Sequence, residues 1–185
     1  MAESSCPFCS IASKDIKSYI VYEDEHIISV LDINPSSRGH VLIFTKKHYN
    51  SIFELPEQEY SELMTVVRAV SYSLLLSQGA TNVDILYTHE LRKGSFTPHT
   101  IVHAIPRYQN DEINYGWRIE TPTEEEFSSV AENIKNTIDK IKSSGEQPQP
   151  AQVQERKEPA AGDVSGKEEK KQENPPEAKR RVVIF

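Results

Sequence analysis

After about Ser143 the chain has no aromatic residue before Phe185 and no apolar periodicity; it reads Ser-Ser-Gly-Glu-Gln-Pro-Gln-Pro and then mixed Lys, Glu, Gln, Ala and Pro. Such a stretch cannot bury enough apolar surface to offset its ordering entropy, so residues 143–178 are expected to form a disordered linker. The core must therefore come from residues 1–142. That length supports one domain and is too short for two with separate cores. A content of 37% apolar and 26% charged residues agrees with a chain packed over only part of its length.

The charge is distributed unevenly. Residues 143–185 hold eight Lys/Arg and eight Asp/Glu, so the first 142 keep 13 basic against 20 acidic residues and the whole formal charge of −7. A domain that acidic lacks the basic face needed to grip nucleic acid by counterion release, so no nucleic-acid partner is expected. Met1–Ser5 do not resemble a signal peptide, and no run approaches the roughly 18 apolar residues of a membrane span. A cytoplasmic protein without a membrane partner is expected.

Within the core segment, Ile20–Glu23 and Ile27–Leu31 read as short strands around Asp24-Glu25, and Val41–Thr45 as a third after Arg38-Gly39. Val83–Thr88 and Thr100–Ile105 add two more. Between them, Leu55-Pro56-Glu57-Gln58-Glu59 places proline near a first helical turn, with acids at the positive dipole end. Leu63, Val66, Val67, Val70 and Leu74 then mark one buried face until Gly79 stops the helix. A second helix opens at Thr123, whose hydroxyl forms a capping box with Glu126. It carries Phe127, Val130, Ala131, Ile134, Ile138 and Ile141 on one stripe and ends near Lys142. These elements predict an α+β domain with no internal repeat.

Two cysteines cannot build a disulfide framework. The two-residue gap of Cys6-Pro7-Phe8-Cys9 lets both thiolates reach one tetrahedral metal, and zinc is the default ion for sulfur with imidazole. Free or oxidised thiols are the alternative. Ser10 after Cys9 excludes a haem attachment. The remaining two ligands would come from six histidines: His26, His40, His48, His89, His99 and His103. His48 follows a strand and two lysines, and His99 opens a strand. His26 and His89 read as turn or surface residues without a role.

The segment Phe96-Thr97-Pro98-His99-Thr100-Ile101-Val102-His103-Ala104-Ile105-Pro106-Arg107 resembles the motif of the histidine triad (HIT) family, His-φ-His-φ-His-φ-φ with φ apolar, often followed by Pro-Arg. Leu31-Asp32-Ile33-Asn34-Pro35, Gly39-His40-Val41-Leu42-Ile43 and Lys46-Lys47-His48-Tyr49 match further blocks of that family in order. Cys6-Pro7-Phe8-Cys9-Ser10-Ile11 matches its zinc-bearing branch. The resemblance implies a five-stranded antiparallel sheet with two helices, a homodimer, and a purine nucleotide as ligand. It also implies a zinc ion held by Cys6, Cys9, His48 and His99. Strand rise puts His99 and His103 roughly 13 Å apart, too far to share one ion.

The family's middle histidine attacks the α-phosphorus to form a nucleotidyl-histidine. Here that position is Ile101, which has no lone pair. The family also carries a glycine-rich phosphate loop ending in Ala-Gly-Gln, where this chain reads His89-Glu90-Leu91-Arg92-Lys93-Gly94-Ser95 and places Glu90 where a phosphate prefers amides. Metal ligands kept and chemistry lost suggest a scaffold without catalysis. The nucleotide-binding candidates are Asp32, matched to a ribose-binding acid, with His40, Ser95 and His103. Asp32 can equally cap the Asn34-Pro35 turn, and His40 can equally be an interior histidine. An enzyme, a nucleotidyl hydrolase or transferase of altered chemistry, would need His103 or His40 as substitute nucleophile. His103 is the weak catalytic candidate, about 7 Å along the strand.

The chain ends in Lys179-Arg180-Arg181 followed by Val182, Val183, Ile184 and Phe185. A basic trio before four apolar, strand-favouring residues fits a linear motif at 179–185 that adds to a sheet edge or fills a groove of a protein partner. Folding back on its own domain is the alternative. The sequence therefore favours a binding module that recruits a partner, with the altered enzyme as the competing function.

Overall fold

The computed structural model of the chain describes residues 6–87, 99–116 and 119–144. Five strands form one antiparallel sheet in the order β1-β2-β3-β5-β4: β1 Ile20–Glu23, β2 Ile27–Leu31, β3 Val41–Thr45, β4 Asn82–Leu86 and β5 Ile101–Arg107. The first three match the expected spans. The last runs two residues past expectation, through Pro106 and Arg107, because Asn82 and Val83 of β4 pair with Arg107 and Pro106. The expected 83–88 strand begins one residue earlier, at Asn82, and ends at Leu86; Thr88 lies outside the described residues.

Three α-helices accompany the sheet among the described residues, where two were expected: α1 Pro7–Ala12, α2 Glu57–Gln78 and α3 Glu124–Ser144, with a short 3-10 helix at Ile52–Glu54. The unforeseen α1 is a six-residue helix with proline in its first turn, where the missing N–H has no partner to lose. The run is too short to show apolar periodicity. Gly79 ends α2 at φ 68°, a left-handed cap that suits a residue without Cβ. The Thr123 box opens α3: Thr123 N–H donates to Glu126 Oε2 at 2.7 Å, and Glu126 N–H donates to Thr123 Oγ1 at 3.3 Å. That helix ends two residues beyond the expected Lys142. No helix among the described residues is long and apolar enough to cross a membrane.

Alternation along the strands separates two apolar layers. Ile27, Val41, Ile43, Val102 and Ala104 pack on one face beneath Leu63, Val66, Val67 and Leu74 of α2. On the other face Ile28, Val30, Leu42, Phe44 and Ile101 form a second cluster, covered by Phe8, Ile11 and Ala12 of α1. The N-terminal cysteines are delivered to the sheet by this second face.

Candidate functional site

Cys6 caps α1 and Cys9 lies one turn along it, a spacing that puts both thiols on one side of the helix. Pairing of β3 with β5 sets Phe44 opposite Ile101, so the segment leaving Thr45 and the segment entering Ile101 meet at one end of the sheet. His48 rides on the first and His99 on the second. Both Thr100 N–H and its hydroxyl donate to the Tyr49 carbonyl, at 2.7 and 3.1 Å, and fasten the two segments together.

The four side chains converge. Cys9 Sγ lies 3.2 Å from His48 Nδ1, Cys6 Sγ 3.5 Å from His99 Nδ1, and Cys9 Sγ 3.8 Å from His99 Nδ1, with all four ligand atoms within 4.8 Å of one another. Ligands about 2.3 Å (sulfur) and 2.0 Å (nitrogen) from a tetrahedral ion stand about 3.5 Å apart, so these separations fit one ion's shell. The imidazoles are also set in the tautomer a metal needs. His99 Nε2–H donates to the Thr45 carbonyl at 2.8 Å, which leaves the Nδ1 lone pair facing the thiols. His48 Nε2 faces Asn50 Oδ1 at 3.3 Å in the same sense. Burial pushes His99 down to about 4, with His48 adding to the shift and the Thr45 bond opposing it, so the ring is neutral at ordinary pH. Phe44, 5.4 Å from the His99 ring, and Phe8, 6.0 Å from it, shield that side.

A second polar group forms further along the same face. Asp32 follows β2 and His40 precedes β3, and because Leu31 pairs with Val41 the two lie side by side. Gly39, at φ 91°, makes the turn that returns the chain to His40. Opposite Leu42 on β5 stands His103. His40 Nδ1 is 3.3 Å from Asp32 Oδ2, and His40 Nε2 is 3.0 Å from His103 Nδ1. His40 turns opposite ring nitrogens to its two neighbours, Nδ1 toward Asp32 and Nε2 toward His103, and one ligand atom of each of the three lies within 4.8 Å of the others. Asp32 meets both roles weighed for it, since Oδ1 accepts the Asn34 N–H at 2.9 Å while Oδ2 faces His40. Ser36 N–H also donates to His40 Nδ1, at 3.2 Å. Burial pushes His40 down to about 4, opposed by Asp32 and assisted by His103; burial likewise lowers His103.

Ile101 points to the same face as His103 but into hydrocarbon. It is 6% exposed and belongs to the cluster of Ile28, Val30, Leu42 and Phe44. His26 pairs with Glu62 at 2.6 Å, away from both groups. Ser95, the His89–Ser95 loop and the terminal Val182, Val183, Ile184 and Phe185 lie outside the described residues.

Sequence reasoning missed one anchor. Arg107 donates to Asp84 at 2.6 Å and to both carboxylate oxygens of Asp111 at 2.7 Å, and so ties β4 and β5 to the chain that follows. Its only signal was the Pro-Arg pair after the motif. The carbonyl of Thr45, which sets the His99 ring, carries no sequence signal because every residue has one.

Comparison with known proteins places this geometry. The HIT domain family model matches residues 13–110, just over half of the chain. An uncharacterized HIT-like protein of Methanocaldococcus jannaschii is 36% identical over 106 residues, covering 57% of this chain and 81% of that protein. An adenosine 5'-monophosphoramidase of Schizosaccharomyces pombe is 29% identical over 136 residues, covering 72% and 98%. Among solved structures, a HIT family protein of Bacillus anthracis superposes with a TM-score of 0.65 at 29% identity, covering 72% of this chain and 96% of that one. The chain belongs to the HIT family.

Proposed function

We propose that the chain is a zinc-pinned HIT module of the zinc-bearing branch that binds a purine nucleotide without nucleotidyl transfer, and that recruits a protein partner through Val182–Phe185. The observation that carries the non-catalytic part is the placement of Ile101 in a closed apolar cluster, on the same face as His103. At the family's nucleophile position this side chain offers neither a lone pair nor a proton; it packs.

The donor set of Cys6, Cys9, His48 and His99 suits zinc by its sulfur and nitrogen chemistry and its tetrahedral spacing. Bound there, zinc supplies a cross-link between α1 and the β3–β5 end of the sheet. Asp32, His40 and His103 are the residues offered to a nucleotide; an adenosine nucleotide is the first to try, given the activity named for the fission-yeast relative. Calorimetric titration of the metal-loaded protein with adenosine monophosphate, with parallel incubation with adenosine phosphoramidate, is expected to give binding heat without turnover. Turnover that disappears in His103→Ala would overturn the proposal.

A second reading, an altered HIT hydrolase or transferase, is favoured by one observation. His40 Nε2 stands 3.0 Å from His103 Nδ1, the kind of contact that orients a reacting imidazole. The same incubation separates the two. For the tail, full-length protein is expected to retain proteins that a variant with Val182–Phe185 changed to serine does not; recovery of the same set by both would remove the recruitment role.

A further inference from the structure

From the open edge of the sheet we infer that the segment Lys179–Phe185 docks there as a further strand, antiparallel to β1. Among the described residues β1 is an edge strand, paired only with β2. It is also apolar and uncovered. Tyr19, Ile20, Val21 and Tyr22 are 72, 41, 49 and 40% exposed, and none of them belongs to either apolar cluster. An edge that is both apolar and exposed offers backbone groups and side-chain surface to one more strand, and proteins ordinarily cover or charge such edges.

The chain itself carries a segment that matches this edge. Along β1 the order is apolar from Tyr19 to Tyr22, then acidic at Glu23, Asp24 and Glu25. Along residues 179–185 it is basic at Lys179, Arg180 and Arg181, then apolar from Val182 to Phe185. Laid antiparallel, the two apolar runs lie side by side and the three cations meet the three acids; laid parallel, the cations would lie against Tyr19 and Ile20. Val182, Val183 and Ile184 are β-branched and Phe185 is aromatic, types that fit a pleated surface. Glu23 already receives Lys14 at 3.2 Å and Lys46 at 2.9 Å, and Asp24 accepts the Tyr22 hydroxyl and the backbone N–H groups of His26 and Ile27. Exposed Glu25 is therefore the acid most open to a further cation. The bulge between Ile20 and Tyr22 twists β1 and disfavours a long flat partner, which a four-residue strand is not.

Other occupants fit less well. Residues 145–178 hold no run of large apolar residues, and residues 88–98 join β4 to β5, at the opposite edge. A second copy's β1, turned antiparallel, would set its acids against Tyr19 and Ile20 and bring no cation. The 34 residues of 145–178 give ample reach, since a random chain of that length spans about 30 Å root mean square, the width of a small domain. Such a tether supplies an effective concentration on the order of 1 mM, so a segment whose free peptide binds β1 at about 0.1 mM is seated about nine-tenths of the time. The docking does not rest on the recruitment proposed above, but it governs it: the same four side chains must leave β1 before they can fill a partner's groove.

Hydrogen exchange of the zinc-loaded full chain, followed at the backbone amides of Tyr19–Glu23, tests the docking. Changing Val182–Phe185 to serine should speed exchange of the outward amides about tenfold, because the covered fraction is lost. Exchange in β3, inside the sheet, should not change, which separates an uncovered edge from a weakened fold. Lys179→Glu should speed the β1 amides about two- to fivefold, and adding Glu25→Lys should slow them again. Recovery in that double variant is the decisive support, since a merely local effect of either change would not be reversed by the other. Three results would each overturn the inference: equal exchange in wild type and serine variant, protection that grows between about 10 and 300 μM protein and so comes from a second copy, or a charge swap that fails to recover. Protein capture that is indifferent to the tail, with β1 still protected by it, would remove the recruitment role and leave the docking standing.

Discussion

Ile101→Ala removes three carbon atoms from the middle of the cluster formed with Ile28, Val30, Leu42 and Phe44. With Ile101 only 6% exposed, nearly all of that hydrocarbon leaves a dry site, and at about 0.8 kcal/mol per carbon the transfer loss is about 2.4 kcal/mol. Ile28 and Phe44 are fully buried and fixed in paired strands, so the space cannot collapse freely. A cavity contribution then brings the expected cost to about 3 kcal/mol, within the range of such truncations. Ile101→Val, which loses one carbon, should cost about 1 kcal/mol. Urea unfolding of the zinc-loaded protein at constant slope measures both. A cost below about 1 kcal/mol for the alanine variant would show that Ile101 is not the packing element on which the non-catalytic reading rests.

Two further predictions follow from the polar groups. Metal analysis of purified protein should find about one zinc per chain, and Cys9→Ala should lower both metal content and stability, because ligand geometry and folding are coupled through the ion; wild type purified without chelator and found metal-free would refute the ligand set. His40 is held neutral by burial, its pKa down from 6.5 to about 4 despite the nearby Asp32. The unfolded chain binds a proton below about pH 6.5 that the folded chain refuses until about pH 4, so stability should fall as pH drops through that window, by up to about 3 kcal/mol. The urea midpoint of His40→Gln should depend less on pH between those limits, and a slope equal to wild type would sink the assignment.

Much of the architecture was legible because strand alternation and helix punctuation are local. Ile27–Leu31 and Val41–Thr45 announce strands by their own composition, and the Thr123 box and Gly79 mark helix ends. The α1 helix escaped because six residues are too few to show a period. The candidate metal ligands stood in the sequence as one cysteine pair and two separate histidines, Cys6, Cys9, His48 and His99, grouped only by the family resemblance. The Arg107–Asp84–Asp111 anchor escaped because its members are spread over three segments, and any acid in the chain could have been the partner.

By itself, the sequence determined which chemistry is present: two thiols one turn apart, histidines beyond the ends of two strands, and an isoleucine midway between His99 and His103. It also determined the even spacing of the α3 stripe, since periodicity is a property of neighbouring residues. Only the tertiary structure decided what meets what. The β3–β5 register brings His48 and His99 to one end of the sheet, and the Thr45 carbonyl turns the His99 lone pair toward the cysteines. The second sheet face closes over Ile101 and leaves the stripe of α3 open to solvent. Convergence of this kind depends on strand register and on which face each side chain takes, and no local run of residues carries that information.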